Sequence, residues 1–258
     1  MHWSITRTFS QFLTSYVSED ISVLEIGSAN VNGGLRELKR PGMTWWGVDL
    51  DDAPGVDQVV QVGAPLPFEN QSFDLVVASS VFEHDIQFWN TFLEMARVMK
   101  PGGTILITAP SQGYFHRHIF DAFRFYPDAG IALEKWAAHS GKSIKLIESF
   151  TTLPENSAWA DYVAIFSDTP ERYRKSHIGG LLKGENWIVE GELKQDTYRE
   201  IPYDMRRISE LEAANLQLAA DLDRTRFHIS ALLNEKSWKI TKQIRIILLY
   251  VKKIIGKF

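Results

Sequence analysis

Val23-Leu24-Glu25-Ile26-Gly27-Ser28-Ala29-Asn30 is a short apolar run that halts on a glycine and opens into a polar loop. Four to six apolar or β-branched residues bounded by a turn former read as a buried strand. Gly27 supplies a backbone geometry that other residues resist, and it lets a ligand come close to the main chain. The next apolar run, Thr44-Trp45-Trp46-Gly47-Val48, ends on Asp49, 22 positions after Gly27. An acid at the tip of the second strand suits bidentate hydrogen bonding to ribose hydroxyls, as in nucleotide-binding βαβ units. The competing reading is a plain glycine turn and a solvated aspartate. The dinucleotide fingerprint G-x-G-x-x-G is absent, because Ala29 and Asn32 occupy the places of its second and third glycines. That weighs against packing on a pyrophosphate, but not against an adenosine compound without phosphates.

Outward from this unit, strands and helices alternate. Ile5, Phe9, Phe12, Leu13 and Tyr16 are spaced as one helical face before the first strand. A helical stretch is expected around Leu35–Leu38, a third strand over Gln58–Val62 and a fourth over Phe73–Ala78. Phe88, Phe92, Met95 and Val98 predict a helix, which Pro101-Gly102-Gly103 breaks before a fifth strand at Thr104–Thr108. A helix over Ala129–His139 and strands over Ser143–Ser149 and Tyr162–Phe166 complete the pattern. This order predicts an α/β, Rossmann-like, seven-stranded and mostly parallel sheet with helices on both faces, whose ligands sit beyond the carboxyl ends of the strands.

Composition narrows the function classes. The 258 residues contain no cysteine, so disulfides, thiolate zinc sites and cysteine nucleophiles are excluded. Met1-His2-Trp3-Ser4-Ile5 lacks the basic and apolar regions of a secretory signal, and a cytoplasmic protein is expected. The net charge of −4 hides an asymmetry. Residues 236–258 carry six lysines, one arginine and no acid, which leaves the first 235 residues at −11. Nucleic acid is therefore not an expected partner of the body, while the basic end is drawn to anionic surfaces.

The run Leu66-Pro67-Phe68-Glu69-Asn70-Gln71-Ser72-Phe73-Asp74-Leu75-Val76-Val77 resembles the class I S-adenosylmethionine (SAM)-dependent methyltransferases, particularly the group with the ubiquinone and menaquinone methylating enzymes. Val81-Phe82-Glu83-His84 and Arg97-Val98-Met99-Lys100-Pro101-Gly102-Gly103 share that resemblance, which spans Ile21 to Ser167. Asn30-Val31-Asn32-Gly33-Gly34, Gly55-Val56-Asp57 and Phe123-Arg124-Phe125-Tyr126-Pro127-Asp128 are similar to bacterial methyltransferases that accompany glycosyltransferases. The resemblance implies SAM as cofactor. It puts Glu25, Gly27 and Ser28 beside the methionine part, Asp49 on the ribose, and Leu50, Gly63 and Ala64 beside the adenine. Ser79 would face the sulfonium and the acceptor. Relatives often have an aspartate at position 63, where Gly63 puts the adenine hydrogen bond in question, and Ala29 replaces a second motif glycine.

Methyl transfer needs alignment of donor and acceptor and exclusion of water; a hydroxyl acceptor also gains from a general base. The candidates are His84 after the fourth strand, and His116, His118 and Asp121 after the fifth. His84 could instead only cap the following helix. His116 and His118 show no third ligand at a sensible spacing, so no metal is expected. Arg124 either binds an anionic acceptor or anchors its loop through an ion pair.

Four regions are expected: a catalytic domain over 1–167, a linker or accessory segment over 168–204, a coiled coil over 205–235 and a basic amphipathic helix over 236–258. Ile208, Leu211, Asn215, Leu218, Leu222, Thr225, Ile229 and Leu232 occupy a and d heptad positions, which predicts a homo-oligomer. The alternative is a helix folded back on the catalytic domain. Ile240, Ile244, Ile247, Val251, Ile254 and Phe258 form an apolar stripe among lysines, suited to the inner membrane face or to a protein such as a glycosyltransferase. Ser237-Trp238-Lys239-Ile240-Thr241 is similar to a short motif in bacterial polysaccharide enzymes. The leading expectation is O-methylation of a sugar hydroxyl in a surface polysaccharide or lipid-linked glycan. A lipid or quinone-like acceptor, a non-catalytic scaffold and an NAD-linked oxidoreductase are the alternatives.

Overall fold

The structure is a computed structural model that describes residues 3–17, 20–31, 33–117, 120–153 and 159–255. It divides into two units, residues 1–200 and 201–258.

In the first unit, helix α1 (Trp3–Tyr16) precedes strand β1 (Ser22–Ile26), a 3₁₀ turn at Leu35–Leu38, β2 (Thr44–Asp49) and β3 (Gln58–Val59). There follow β4 (Phe73–Ser79), α2 (Phe88–Val98), β5 (Met99–Gln112), α3 (Asp128–His139), β6 (Lys145–Thr151) and β7 (Ala160–Ser167). The chain then adds β8 (Glu185–Val189) and β9 (Glu192–Leu193). All nine strands form one sheet in the order β3-β2-β1-β4-β5-β7-β6-β8-β9. The β1–β2, β1–β4, β2–β3 and β4–β5 pairs are parallel, and the remaining pairs are antiparallel. The seven-stranded expectation is thus corrected to nine. The third strand is also shorter than expected and leaves the sheet after Val59.

Two apolar layers flank the sheet. On one face α2 and α3 bury Phe92, Met95, Val98, Leu133 and Ala137 against Leu24, Val76, Ile105 and Phe166. On the other, α1 buries Phe9, Phe12 and Leu13 against Val23, Leu75, Leu106 and Ile165. Alternate residues of each strand supply the two layers, as a sheet covered on both sides requires. Tyr173, Ile178 and Leu182 complete the second layer.

That extra coverage depends on Glu148 of β6, which is fully buried. Its carboxylate accepts hydrogen bonds from Tyr16 Oη (2.7 Å), Ile178 N (2.7 Å), Gly179 N (3.0 Å) and Trp187 Nε1 (2.8 Å). One charged group therefore ties α1, the 178–179 turn and β8 to β6, and four donors supply what water would otherwise give it.

The amino edge of the sheet is held by polar clasps. Arg97 donates to Phe68 O (2.7 Å) and Leu66 O (2.8 Å), while Glu94 accepts from Leu66 N (2.8 Å) and pairs with Arg97. Lys100 Nζ donates to Asp74 Oδ2 (2.8 Å) and to Ser22 Oγ (3.0 Å).

The second unit holds α4 (Tyr203–Asn234) and α5 (Lys236–Ile255). They are separated at Glu235, whose ψ of 143° leaves the helical region. The apolar a and d side chains of α4 are exposed. In α5, Arg245 lies over the Trp238 ring and donates to Trp238 O (3.0 Å). No helix among the described residues is long and apolar enough to cross a membrane.

Glu148→Ala is expected to cost about 3 kcal/mol or more in urea unfolding, because it strands four buried donors. A loss below about 1 kcal/mol would show that the accessory strands are held by other means.

Candidate functional site

The strand order reverses between β1 and β4, the place where open α/β sheets bind ligands at their carboxyl ends. Gly27 lies at this switch with φ +76°. A Cβ there would run into the Val81 side chain, so only glycine leaves the backbone bare beside β4. Gly27 N and Ser28 N both donate to Val48 O, at 2.9 and 3.2 Å. Asp49 closes the loop from the other side. Its Oδ2 accepts from Ala29 N (2.9 Å) and its Oδ1 from Leu50 N (2.7 Å). Each oxygen keeps a lone pair for a further donor, as a ribose clamp needs.

The loop beyond is built by the second set of motifs. Asn30 N donates to Pro54 O (2.7 Å), and Gly33 N to Asn30 Oδ1 (2.8 Å). Asp57 accepts from Gly47 N (2.7 Å) and pairs with Arg36, which holds its carboxyl below the ordinary carboxylate range. A Cβ on Gly55 would strike Ser28 O. These residues pin the 28–36 loop over β2.

Glu25 is buried and accepts from Trp45 Nε1 (2.9 Å). Burial pushes its pKa up to about 7, against the opposing pull of the Trp45 hydrogen bond and Arg36. Ser28 Oγ is buried with no hydrogen-bond partner among the described residues. Leu50, Gly63 and Ala64 are exposed. Ser79 Oγ accepts from Thr108 Oγ1 (2.9 Å). The bare glycine, the spare Ser28 hydroxyl and the open valences of Asp49 fit an adenosine-type cofactor; the dinucleotide glycines remain missing.

A second group of residues follows β4 and β5. His84 Nδ1 is hydrogen-bonded to Phe120 O, and its Nε2 lies 3.7 Å from Glu83 Oε1. The His84 and His116 rings meet edge to face at 5.1 Å, and Trp159 packs on His116 at 5.0 Å. Glu83 is 0% exposed, and neither carboxylate oxygen has a hydrogen-bond partner among the described residues. Burial raises its pKa to about 8, with Arg124 pulling the other way. Spacing along the chain gave His116 no third ligand, yet the fold sets one ligand atom each of Glu83, His84 and His116 within 4.8 Å of the others.

Asp121 and Arg124 bind each other. Arg124 Nη1 donates to Asp121 Oδ1 (2.5 Å) and Nη2 to Oδ2 (2.8 Å), with further bonds to Phe123 O and Tyr114 O. The guanidinium holds the Asp121 carboxyl far below the carboxylate range. A carboxylate so engaged is a poor base, and the loop-anchoring alternative for Arg124 fits this geometry better than an acceptor clamp. His118 lies outside the described residues. Glu83 was not among the candidates; its place directly before His84 was the available signal, and its burial was not legible.

Residues 24–107 match the family described as "Methyltransferase domain". The chain is 26% identical over 144 residues to the demethylmenaquinone methyltransferase of Renibacterium salmoninarum, a match covering 55% of this chain and 60% of that relative's length. Among solved structures it is similar to a TehB-like SAM-dependent methyltransferase from Corynebacterium glutamicum, with 15% identity, a TM-score of 0.41 and coverage of 62% of this chain and 86% of that one. For a SAM-dependent methyltransferase from Methanosarcina mazei the figures are 15%, 0.43, 60% and 95%.

Asp49→Ala is expected to weaken S-adenosylhomocysteine binding at least tenfold, about 1.4 kcal/mol, in calorimetric titration; unchanged affinity would remove the ribose assignment. Residues 24–107 thus match a methyltransferase domain, and the glycine and acid at the switch of the sheet stand where SAM, the cofactor this match supports, would be held.

Proposed function

We propose that the chain methylates a sugar hydroxyl of a surface polysaccharide or lipid-linked glycan. The observation that carries this reading is the pairing of the cofactor crevice with a polar cluster, Glu83, His84 and His116, at the neighbouring strand end. Tyr114, 70% exposed, borders it through its carbonyl beside His116 and its ring against Trp159, and the exposed Phe115 lies next in the chain. Aromatic faces with polar groups between them suit an amphipathic ring that must be held by one hydroxyl.

Bound SAM supplies a methyl group already activated on a sulfonium. Gly27, Ser28 and Asp49 would hold it, with Leu50, Gly63 and Ala64 toward the base and Ser79 toward the acceptor. His84 is the group assigned to take the acceptor's proton: the bond from its Nδ1 to Phe120 O fixes the ring and its tautomer, with Nε2 on the side of Glu83. His116 borders the same space, and Asp121 with Arg124 positions its loop through His116 N (2.8 Å). The likeness to a demethylmenaquinone methyltransferase supports a quinone-like acceptor as the second reading.

The test is transfer of labelled methyl from SAM to purified lipid-linked glycans, with a quinol in parallel. Label in the glycan, lost at least a hundredfold in His84→Ala with homocysteine-analogue binding kept, is the expected result. Label in the quinol alone would replace the acceptor.

The second unit suits a location at the inner membrane face. The exposed seam of α4 would pair with another copy, and the basic, apolar-striped α5 would lie on anionic lipid or against a glycosyltransferase. Deleting residues 236–258 is expected to release the protein from anionic liposomes in sedimentation; persistent binding would reject the lipid assignment.

A further inference from the structure

We propose that Glu83, His84 and His116 form a binding site for a first-row divalent cation. Two imidazoles and one carboxylate make a donor set for a transition ion such as zinc, manganese or cobalt, and leave positions open for another ligand. Their ligand atoms already lie within 4.8 Å of one another, with His84 Nε2 and Glu83 Oε1 at 3.7 Å.

Two further observations point to a cation. The first is Glu83 itself, fully buried, with both oxygens lacking a hydrogen-bond partner among the described residues. A carboxylate in that position calls for a positive partner, and the Arg124 guanidinium is already occupied by Asp121. The second is how the imidazoles are braced. His84 Nδ1 is bonded to Phe120 O, and His116 Nδ1 lies 3.3 Å from Tyr114 O and 3.5 Å from Asp121 Oδ2. Metal-binding histidines are oriented in this way, with one ring nitrogen held by a carbonyl or carboxylate.

The consequence for catalysis rests on the methyl-transfer reading above. An acceptor hydroxyl that shares the cation with these side chains becomes more acidic and is fixed in position. With the cation bound, His84 serves as a ligand in place of the base role it has in the metal-free reading, and the hydroxyl proton passes to solvent.

Cation binding is tested without cofactor or acceptor. The full chain, stripped with chelator, is titrated with cobalt(II) chloride and followed by visible absorption, then challenged with zinc. One equivalent of cobalt, displaced by zinc, is expected. Affinity should fall at least tenfold in His116→Ala and in Glu83→Gln, and stay unchanged in His139→Ala and His228→Ala, whose histidines are exposed and distant in sequence. No cobalt spectrum, or one that survives His116→Ala, overturns the site; so does a spectrum lost only in His118→Ala. His116 is partly exposed, so its variant decides the matter should Glu83→Gln fail to fold. S-adenosylhomocysteine titration of the same variants separates the two readings, because retained cofactor binding leaves the methyltransferase domain standing whatever cobalt does.

Discussion

Glu148 is the constraint on which the far half of the sheet depends. A buried carboxylate is costly unless it is fully hydrogen-bonded, and its four donors come from three separate stretches of chain. Tyr16 ends the first helix, Ile178 and Gly179 form a turn, and Trp187 belongs to β8. Satisfying one charge therefore folds residues 170–190 over the face that α1 leaves bare. Tyr173 then stacks on Tyr16 at 5.4 Å, and the apolar layer is continued by packing rather than by another helix.

The stretches that resemble methyltransferases divide by place. Leu66 to Asp74 and Arg97 to Gly103 lie at the amino edge, where Arg97, Glu94, Lys100 and Asp74 clasp turns to strands. Their work is architectural. Gly27, Asp49, Ser79 and Glu83-His84 stand at the opposite edge, where the sheet can hold a ligand. The Asn30, Gly33 and Gly55-Val56-Asp57 set belongs to neither group. It braces the 28–36 loop, and so shapes the crevice without facing its ligand.

What was legible in the sequence follows from what local pattern can encode. β1, β4 and β5 are largely buried apolar runs and β2 alternates exposed and buried residues, and each ends at a turn former or an acid, so their type and order could be read. Strand β9 has two residues and no period, and β8 sits behind Gly179, Gly180 and Gly184, which signal turns. Strand β8 is held by pairing to β6 and by the Trp187–Glu148 hydrogen bond, and β9 by pairing to β8, which no window of sequence contains. The break of the long helix at Glu235 was anticipated only as a change of character at that point. The partners of Asp121 and the burial of Glu83 depend on two loops meeting across strand ends. Residue type named Asp121 and passed over Glu83, and only geometry separates the carboxylate anchored by Arg124 from the buried one without a hydrogen bond among the described residues.

The two outermost strands, β3 and β9, are each two residues long. A sheet edge invites addition of a foreign strand in proportion to the length of unpaired backbone it displays. Nine strands would otherwise make a broad template for edge-to-edge growth, and here both margins are too short to offer more than a few ladder bonds. Each outermost strand thus offers a foreign strand little to extend, and the longer strands beside them, β2 and β8, stand only partly covered at the margins.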